Sequence, residues 1–303
     1  MKLDRRSFTA LTFAGLLWGT TVPLSKVALG WLAPGWLTVI RFGLAGLVLL
    51  VIAHRRVGAA LTLPVVAAGV FGYGGSVLVQ SAGIARTSVS HAALLIGATP
   101  VLVAVIAAVW HRSVAPPLAW AGFAVSLAGV GLVTAGHGGN ATPVGDGLVL
   151  ASLLSSAAVT VAQTRLLRGR DPVAVTAVQF LAAAVCLAPF TAATEGVPAA
   201  PGHPGVLLAV AALVAAGTLA PFTLFAYAQS KVRPEVAGAF INLEPLVGAA
   251  LGVLAFGDPA SPVQVTGGAA ILAGIALSSF PAMLVRRPVA RRRWRAVPSS
   301  RTA

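Results

Sequence analysis

The 303-residue chain is too apolar to be a soluble protein. Hydrophobic residues make up 57% of it and charged residues 9%, and the mean hydropathy is +0.91. A water-soluble protein usually has about a quarter charged residues. The net charge is +14, but the basic residues form short clusters between apolar runs, which orients a chain against anionic lipid. We therefore expect a membrane protein, and nucleic acid is not an expected partner.

The apolar runs predict ten membrane-spanning helices. A hydrocarbon core of about 30 Å needs about 20 residues of helix. A barrel strand would alternate apolar and polar residues, and these runs do not. The expected fold is an all-α polytopic membrane protein. The expected spans cover residues 8–30, 35–53, 61–80, 88–110, 115–136, 145–164, 172–192, 205–228, 234–256 and 261–285.

The basic residues predict the orientation of these spans. Of the 21 lysines and arginines, all but Lys26, Arg41 and Arg86 fall in cytoplasmic segments if the N-terminus is cytoplasmic. Such an excess of positive charge marks the inner side of a membrane protein. We therefore expect a multi-pass protein of the cell (plasma) membrane with both termini cytoplasmic and a basic cytoplasmic tail over residues 286–303.

The chain also repeats itself. Residues Ala93–Val103 align with Gly238–Gly248 at an offset of 145, so that Pro100 falls on Pro245. Each half contains five expected spans, so the second half must enter the membrane inverted relative to the first. Inverted repeats are typical of transporters whose substrate site lies at the interface of the halves. The sequence therefore predicts ten transmembrane helices in two inverted five-helix repeats.

Several short motifs resemble the EamA type of the drug/metabolite transporter superfamily. The resemblance covers residues 10–135 and 145–280, one five-helix repeat each, and it implies a secondary transporter of a small metabolite, such as an amino-acid-like compound or a drug. The first half departs from the family pattern at Ser113, where an acidic residue commonly follows the fourth helix. The motifs that carry the resemblance are Trp18-Gly19, Arg41-Phe42, Gln179-Phe180, Leu243-Glu244-Pro245 and Phe256-Gly257-Asp258.

Glu244 is the acidic residue that lies deepest in any expected span. It lies ten residues into the ninth span, about 15 Å along the helix axis at 1.5 Å per residue. An ionisable group at that depth requires a partner or a water-lined cavity, so we expect a substrate-binding or proton-coupling role. The alternative is a carboxyl group that ties this helix to a neighbour. Pro100 and Pro245 are expected to break their helices and to line the pathway.

Three other polar residues have competing interpretations. Arg41 lies six residues into the second span, where it either binds a substrate anion or forms a structural ion pair or carbonyl clamp. Lys26 lies near the outer interface, where we expect its ammonium group to reach the headgroups rather than to serve the site. His91 begins the fourth span and is expected to be a solvated cap rather than a ligand.

Aromatic and amide side chains complete the expected site, because rings can stack on a substrate while polar groups orient it. Gln163 and Gln179 are equally suited to hydrogen bonds between helices. The expected substrate-binding or coupling residues are Glu244, Asn242, Arg41, Trp18, Tyr73, Tyr227 and Thr99.

The leading functional hypothesis is a secondary transporter that exports a small metabolite by alternating access. The sequence has no Gly-x-x-x-x-Gly-Lys-Ser/Thr loop for a nucleotide, so a proton or solute gradient would supply the energy. The alternatives are an intramembrane enzyme and a non-transporting scaffold or lipid flippase. No set of catalytic groups converges, because the aspartates lie at span ends or termini and the histidines are scattered. No catalytic residue, cofactor or metal site is therefore expected, and an oligomer is left open.

Overall fold

The computed structural model describes residues 5–111, 117–135, 141–229 and 243–284, together with Phe240. The regular structure in these ranges is helical. The helices are α1 (Arg5–Gly19), α2 (Thr21–Ala28), α3 (Pro34–Ala53), α4 (Val57–Ala60), α5 (Leu63–Ala67), α6 (Ser76–Ala85), α7 (Val89–Ile96), α8 (Thr99–His111), α9 (Pro117–Ala135), α10 (Pro143–Leu166), α11 (Pro172–Glu195), α12 (Pro204–Val214), α13 (Ala220–Gln229), α14 (Leu243–Phe256) and α15 (Pro262–Leu284).

Six helical segments are long and apolar enough to cross a membrane. Six of the fifteen helices begin with a proline at their first position, where its missing N–H costs no hydrogen bond. Shorter apolar helices cover 89–103, 120–133 and 243–256, and the basic tail lies outside the described residues. This is the all-helical membrane fold expected from the sequence, while the count of ten spans stays a prediction. The six segments are Arg5–Ala28, Pro34–Ala53, Leu63–Ala85, Pro143–Gln163, Pro172–Glu195 and Pro204–Phe225.

Two of these segments contain a stretch of wider, π-helical winding. The first, Ala68–Gly75, joins α5 to α6, and the second, Ala215–Leu219, joins α12 to α13. The offset of 145 places the second stretch on residues 70–74, inside the first. Both halves therefore carry the same irregularity at the same place. Such π segments occur frequently at functional sites.

Helices that match by the sequence repeat pack against each other in opposite directions. Gly252 of α14 lies against Ser90 of α7, whereas Pro245 at the start of α14 lies against Gly97 just beyond the end of α7. Residue numbers thus rise along one helix as they fall along the other. A Cβ atom at either glycine would overlap its neighbour, so the small residues set how closely these helices approach.

The same antiparallel relation holds for the matched pairs α3–α11 and α9–α15. Gly35 near the start of α3 lies against Glu195 at the end of α11, and Gly46 further along α3 lies against Leu181. The bundle therefore has two ends. The end that contains the starts of α7 and α10 is called the Asp146 end. The end that contains the start of α11 is called the Asp171 end.

Candidate substrate site

Arg41 is held against the wide turn of the second half. Its Nε donates to the Thr218 hydroxyl at 2.7 Å and its Nη2 donates to the Gly217 carbonyl at 3.2 Å. The Thr218 hydroxyl in turn donates to the Leu213 carbonyl. Of the carbonyl clamp and the structural ion pair, the structure shows the clamp. A guanidinium group has five N–H donors, and those not used here have no hydrogen-bond partner among the described residues.

Glu244 lies in the first turn of α14, close to α1. Gly19 permits this approach, because a Cβ there would lie 3.1 Å from the Glu244 carbonyl oxygen. Within the described ranges the Glu244 carboxylate forms no salt bridge and accepts no hydrogen bond. Its charge nevertheless interacts electrostatically with that of Arg41. The two opposite charges are therefore close enough to attract each other without forming a direct pair.

A wall of aromatic rings lies beside Arg41. Phe42 and Phe180, which occupy equivalent positions of the two halves, are buried with ring centroids 4.7 Å apart. Tyr73 meets Phe180 edge-on at 5.2 Å. Phe222 lies 5.5 Å from Phe180 and 5.3 Å from Trp18. Tilted and edge-on contacts of this kind are the favourable geometry for ring pairs, so the wall runs unbroken from Trp18 to Phe42.

The structure brings Arg41, Trp18 and Tyr73 into one region. Thr99 begins α8 after a helix break at residues 97–98, and its hydroxyl donates to the Ile96 carbonyl at 2.6 Å. Tyr227 is 39% exposed on α13, and its role stays a prediction. Asn242 lies outside the described residues. The break before Pro100 is present, whereas its place along a pathway stays a prediction.

Sequence reasoning missed Thr218, Phe180 and Phe222 as parts of this region. The internal repeat contained the signal for two of them. Thr218 falls on Tyr73 at the offset of 145, and Phe180 falls on Phe42 at the offset of 138. A residue that matches a candidate in the other half deserved the same weight, because an interface between repeats uses both copies.

A comparison with known protein families gives a match over both halves of the chain. The sequence pattern of the EamA-like transporter family matches residues 7–135 and 143–280. The chain belongs to the EamA-like transporter family. This family transports small substrates across membranes, which is consistent with a protein that is not an enzyme.

Solved structures also match this EamA-like chain. One crystal structure of a protein shares 23% identity with a TM-score of 0.68, and the match covers 93% of this chain and 99% of the other. At that identity the likeness shows the fold alone. No curated protein matches the chain.

A glutamine pair stands in the second half of this EamA-like chain where the first half has Arg41. Gln163 of α10 donates to the Gln179 side chain at 3.0 Å, and Gln179 of α11 donates back at 2.8 Å. Gln179 is fully buried. The expected hydrogen bonds between helices are thus confirmed for these two residues.

Lys26 does not reach towards the headgroups as expected from the sequence. Its Nζ donates to the carbonyls of Ile84, Ala85 and Thr87, at 2.8, 3.2 and 2.6 Å. The last carbonyls of a helix lack partners within the helix, and here the lysine satisfies those at the end of α6. The protein itself therefore binds the ammonium group, while the location of Lys26 near the outer interface stays a prediction.

The expectation that His91 is a solvated cap was also wrong. The side chain is 1% exposed, and Nδ1 lies 3.0 Å from Oδ2 of Asp146. The hydroxyl of Ser88 caps α7 instead. The sequence signal for this contact was Asp146 at the start of an apolar helix, because a buried carboxylate requires a partner.

Two clefts open elsewhere on the described surface. One of about 230 Å³ is lined by Val105, Ile106, Val109 and Trp110, and one of about 280 Å³ lies between α7, α14 and α15. Neither includes Arg41 or Glu244. Both linings are almost wholly apolar, so we place the candidate site by its charges and rings rather than by these clefts.

Proposed function

We propose that this EamA-like transporter is a secondary transporter that exports a small zwitterionic, amino-acid-like metabolite by alternating access. The observation that carries the proposal is the presence of two opposite charges without a salt bridge between them among the described residues, Arg41 beside the ring wall and Glu244 where α14 packs on α1. Each has unused capacity for hydrogen bonds among the described residues. A zwitterion would satisfy both at once.

Each group of such a substrate has a partner in this region. The remaining N–H donors of Arg41 suit a carboxylate, which a guanidinium binds in a planar, two-pronged geometry. The Glu244 carboxylate suits an ammonium group. The rings of Trp18 and Phe222 offer apolar surface for a side chain.

The repeat supports one charge from each half. Arg41 is replaced by Gln179 at the equivalent position of the second half, and Glu244 is replaced by Thr99 in the first. The two charges therefore lie on different halves, and a substrate that binds both would link the movements of the halves. A substrate with one charge would bind one half and leave the other charge uncompensated.

The membrane arrangement we propose has ten spans, inverted halves and cytoplasmic termini in the cell membrane. The antiparallel packing of α7 with α14, and of α9 with α15, supports the inversion. The basic residues of the Asp171 end support its cytoplasmic location, because Arg55, Arg56 and Arg168 cluster there. The Asp146 end would then face outwards. A proton or solute gradient would drive export, and Glu244 is the group that could exchange a proton with the pathway.

Competition against amino acids in proteoliposomes tests the substrate class. The purified protein would be reconstituted in sealed vesicles with a panel of radiolabelled amino acids that have small, aliphatic or aromatic side chains. We expect uptake above that of empty vesicles for at least one member. Its amine-only and acid-only analogues should compete at least tenfold less well than the zwitterion. Each analogue lacks one charged group and so leaves either Arg41 or Glu244 without its partner. Equal competition by either analogue, or no transport of any member, would refute the proposal.

A further inference from the structure

Polar contacts close the Asp146 end of the bundle. The Asp258 carboxylate accepts hydrogen bonds from the backbone N–H and the hydroxyl of Ser90, at 2.7 and 2.9 Å. The Thr142 hydroxyl donates to the Arg86 carbonyl at 2.6 Å. These contacts join chain segments of the first half to segments of the second. Every residue of α7 is buried beneath them.

A histidine and an aspartate form the most deeply enclosed of these contacts. The side chains of His91 and Asp146 are 1% and 4% exposed, and Nδ1 lies 3.0 Å from Oδ2. The Thr87 hydroxyl donates to the other carboxylate oxygen. The second ring nitrogen, Nε2 of His91, is buried and has no hydrogen-bond partner among the described residues.

This geometry fixes where a proton can be added. An ionised carboxylate only accepts hydrogen bonds, so Nδ1 of His91 carries the hydrogen and Nε2 of the neutral ring is a bare acceptor. A proton on Nε2 would create a charged N–H without an acceptor in an apolar core. A proton on Nε2 is therefore unfavourable while this end is closed. Water that enters an opened end would accept a hydrogen bond from the new N–H.

The surrounding charges do not alter this conclusion. Lys26 on α2 is occupied by backbone carbonyls, and Asp258 after α14 is occupied by Ser90. Arg86 at the end of α6 donates to its own helix, and Asp146 is the acidic residue on α10 at this end. The helices α9 and α15 contain no titratable residue. Among the described residues, Asp146 is thus the charged group shown in contact with the ring.

We propose that His91 and Asp146 form a proton-binding latch, in which proton uptake at Nε2 of His91 accompanies opening of the Asp146 end. The inference rests on the proposed function, which requires the two ends to open alternately. Acid on this side of the membrane favours the open end, and a higher pH favours the closed one. In an exporter with this end outwards, an acidic medium would therefore promote release of the substrate.

Cysteine labelling in nanodiscs tests the latch without substrate and without assuming a topology. The background is Cys186→Ala, which removes the chain's single thiol. Val22→Cys reports opening, because Val22 is 2% exposed in the core that also contains Val89 and Ala92. The maleimide labelling rate is divided at each pH by that of the exposed Ala200→Cys, which corrects for the thiolate fraction.

We expect the normalised rate of the Val22→Cys reporter to rise roughly tenfold between pH 8 and pH 5.5, because proton uptake at Nε2 of His91 accompanies opening. His91→Gln keeps a hydrogen-bond donor towards Asp146 but takes up no proton. The normalised labelling rate of the reporter in this variant should therefore not change with pH. The matched control His203→Gln, in an exposed loop at the same end, should keep the rise.

The latch is overturned if the parent reporter shows no rise or if His91→Gln keeps it. If His91→Gln does not elute as a single species, Asp146→Asn replaces it, because this change removes the carboxylate that accepts the hydrogen bond from the His91 ring. An unchanged rise of the labelling rate in Asp146→Asn also overturns the latch. If the labelling rate rises as expected but no amino acid of the panel is transported, the proposal of a zwitterionic substrate is refuted and the latch is not.

Discussion

Arg41 and Glu244 differ in how fully the protein compensates their charges. A charged side chain at the centre of a membrane helix costs about 2.5–3.5 kcal/mol on insertion scales. Each hydrogen bond from a charged group contributes about 1.5–3 kcal/mol, so the two bonds of Arg41 are large enough together to offset that cost. Glu244 has no such bond among the described residues. The ammonium group of a bound substrate would supply such a bond.

Asp171 shows the effect of charge pairing outside the membrane. Partial burial acts to raise the pKa of Asp171, but hydrogen bonds from the Ala174 N–H and from Arg56, with the Arg56 charge, outweigh it and hold that pKa below its ordinary value. The Arg56 contact is 2.6 Å long, with the Arg56 side chain 71% exposed. An exposed pair of this kind contributes about 0–1 kcal/mol.

Asp171→Asn should therefore destabilise the protein slightly at neutral pH. Asparagine retains the cap on α11 and loses the charge. A lowered folded-state pKa stabilises above the unfolded value and loses its effect as the pH falls through the folded value. The unfolding midpoint in detergent should drop by a degree or two at pH 7, and the difference should shrink as the pH falls below the ordinary aspartate pKa of about 3.9. A larger difference at pH 3 than at pH 7 would contradict the pairing.

Single residues were the least predictable part of the sequence. The depth of Arg41 was visible, but its partner Thr218 is 177 residues away, and only the fold brings them together. Lys26 and His91 were both placed at an aqueous interface, because sequence position gives depth along one helix and not the packing around it. Neighbouring helices bury His91, and the end of α6 binds the half-buried Lys26.

At the scale of helices, small residues set the geometry of the site. Gly72 lies within the first π-helical stretch, and a Cβ there would overlap the Val159 side chain of α10. The match between Gly72 and Gly217 at the offset of 145 places a glycine in each wide turn. Close approach and irregular winding therefore occur together in both halves, as in other membrane bundles.

Gly72→Ala should destabilise the protein through overpacking, by about 1–3 kcal/mol. Val159→Ala, which removes the two closest overlapping atoms, should recover part of the lost unfolding midpoint when the two changes are combined. Gly147→Ala on α10 is the matched control, since a Cβ there meets nothing within 4 Å, and it should leave the midpoint unchanged or higher. A double variant no better than Gly72→Ala would contradict this packing.

Most helices could be predicted from the sequence, because length and apolarity are local properties. The expected span 172–192 corresponds to α11 and the span 205–228 to α12 and α13 with their wide turn. The wide turns and the break at residues 97–98 could not be predicted in detail. They depend on which neighbour each glycine approaches, as Gly97 does with Pro245.

For the whole molecule, the inverted halves lead to a test of orientation. In the Cys186→Ala background, an impermeant maleimide added to intact cells should label Ala200→Cys at the Asp146 end. It should label Arg168→Cys at the Asp171 end only after the membrane is permeabilised. Both positions are exposed, so access alone decides the outcome. The reverse pattern would place the termini outside and invert the proposed direction of the latch.

The central claim is that Glu244 and Arg41 hold the two charges of a transported zwitterion. The most direct measurement is the pH profile of amino-acid transport in proteoliposomes for the wild type, Glu244→Gln and the control Glu195→Gln. Glu195 accepts hydrogen bonds from the Gly35 and Trp36 backbone at the Asp146 end. Folding of each variant would be verified by a single elution peak.

We expect Glu244→Gln to elute as folded protein, to lose at least tenfold of its transport rate and to show an altered pH profile, in which only the dependence that His91 confers is left. Removal of a buried charged partner has an effect of this size, since about 1.4 kcal/mol corresponds to tenfold. Glu195→Gln should keep the pH profile of the wild type. Normal transport by Glu244→Gln with an unchanged pH profile would contradict the account.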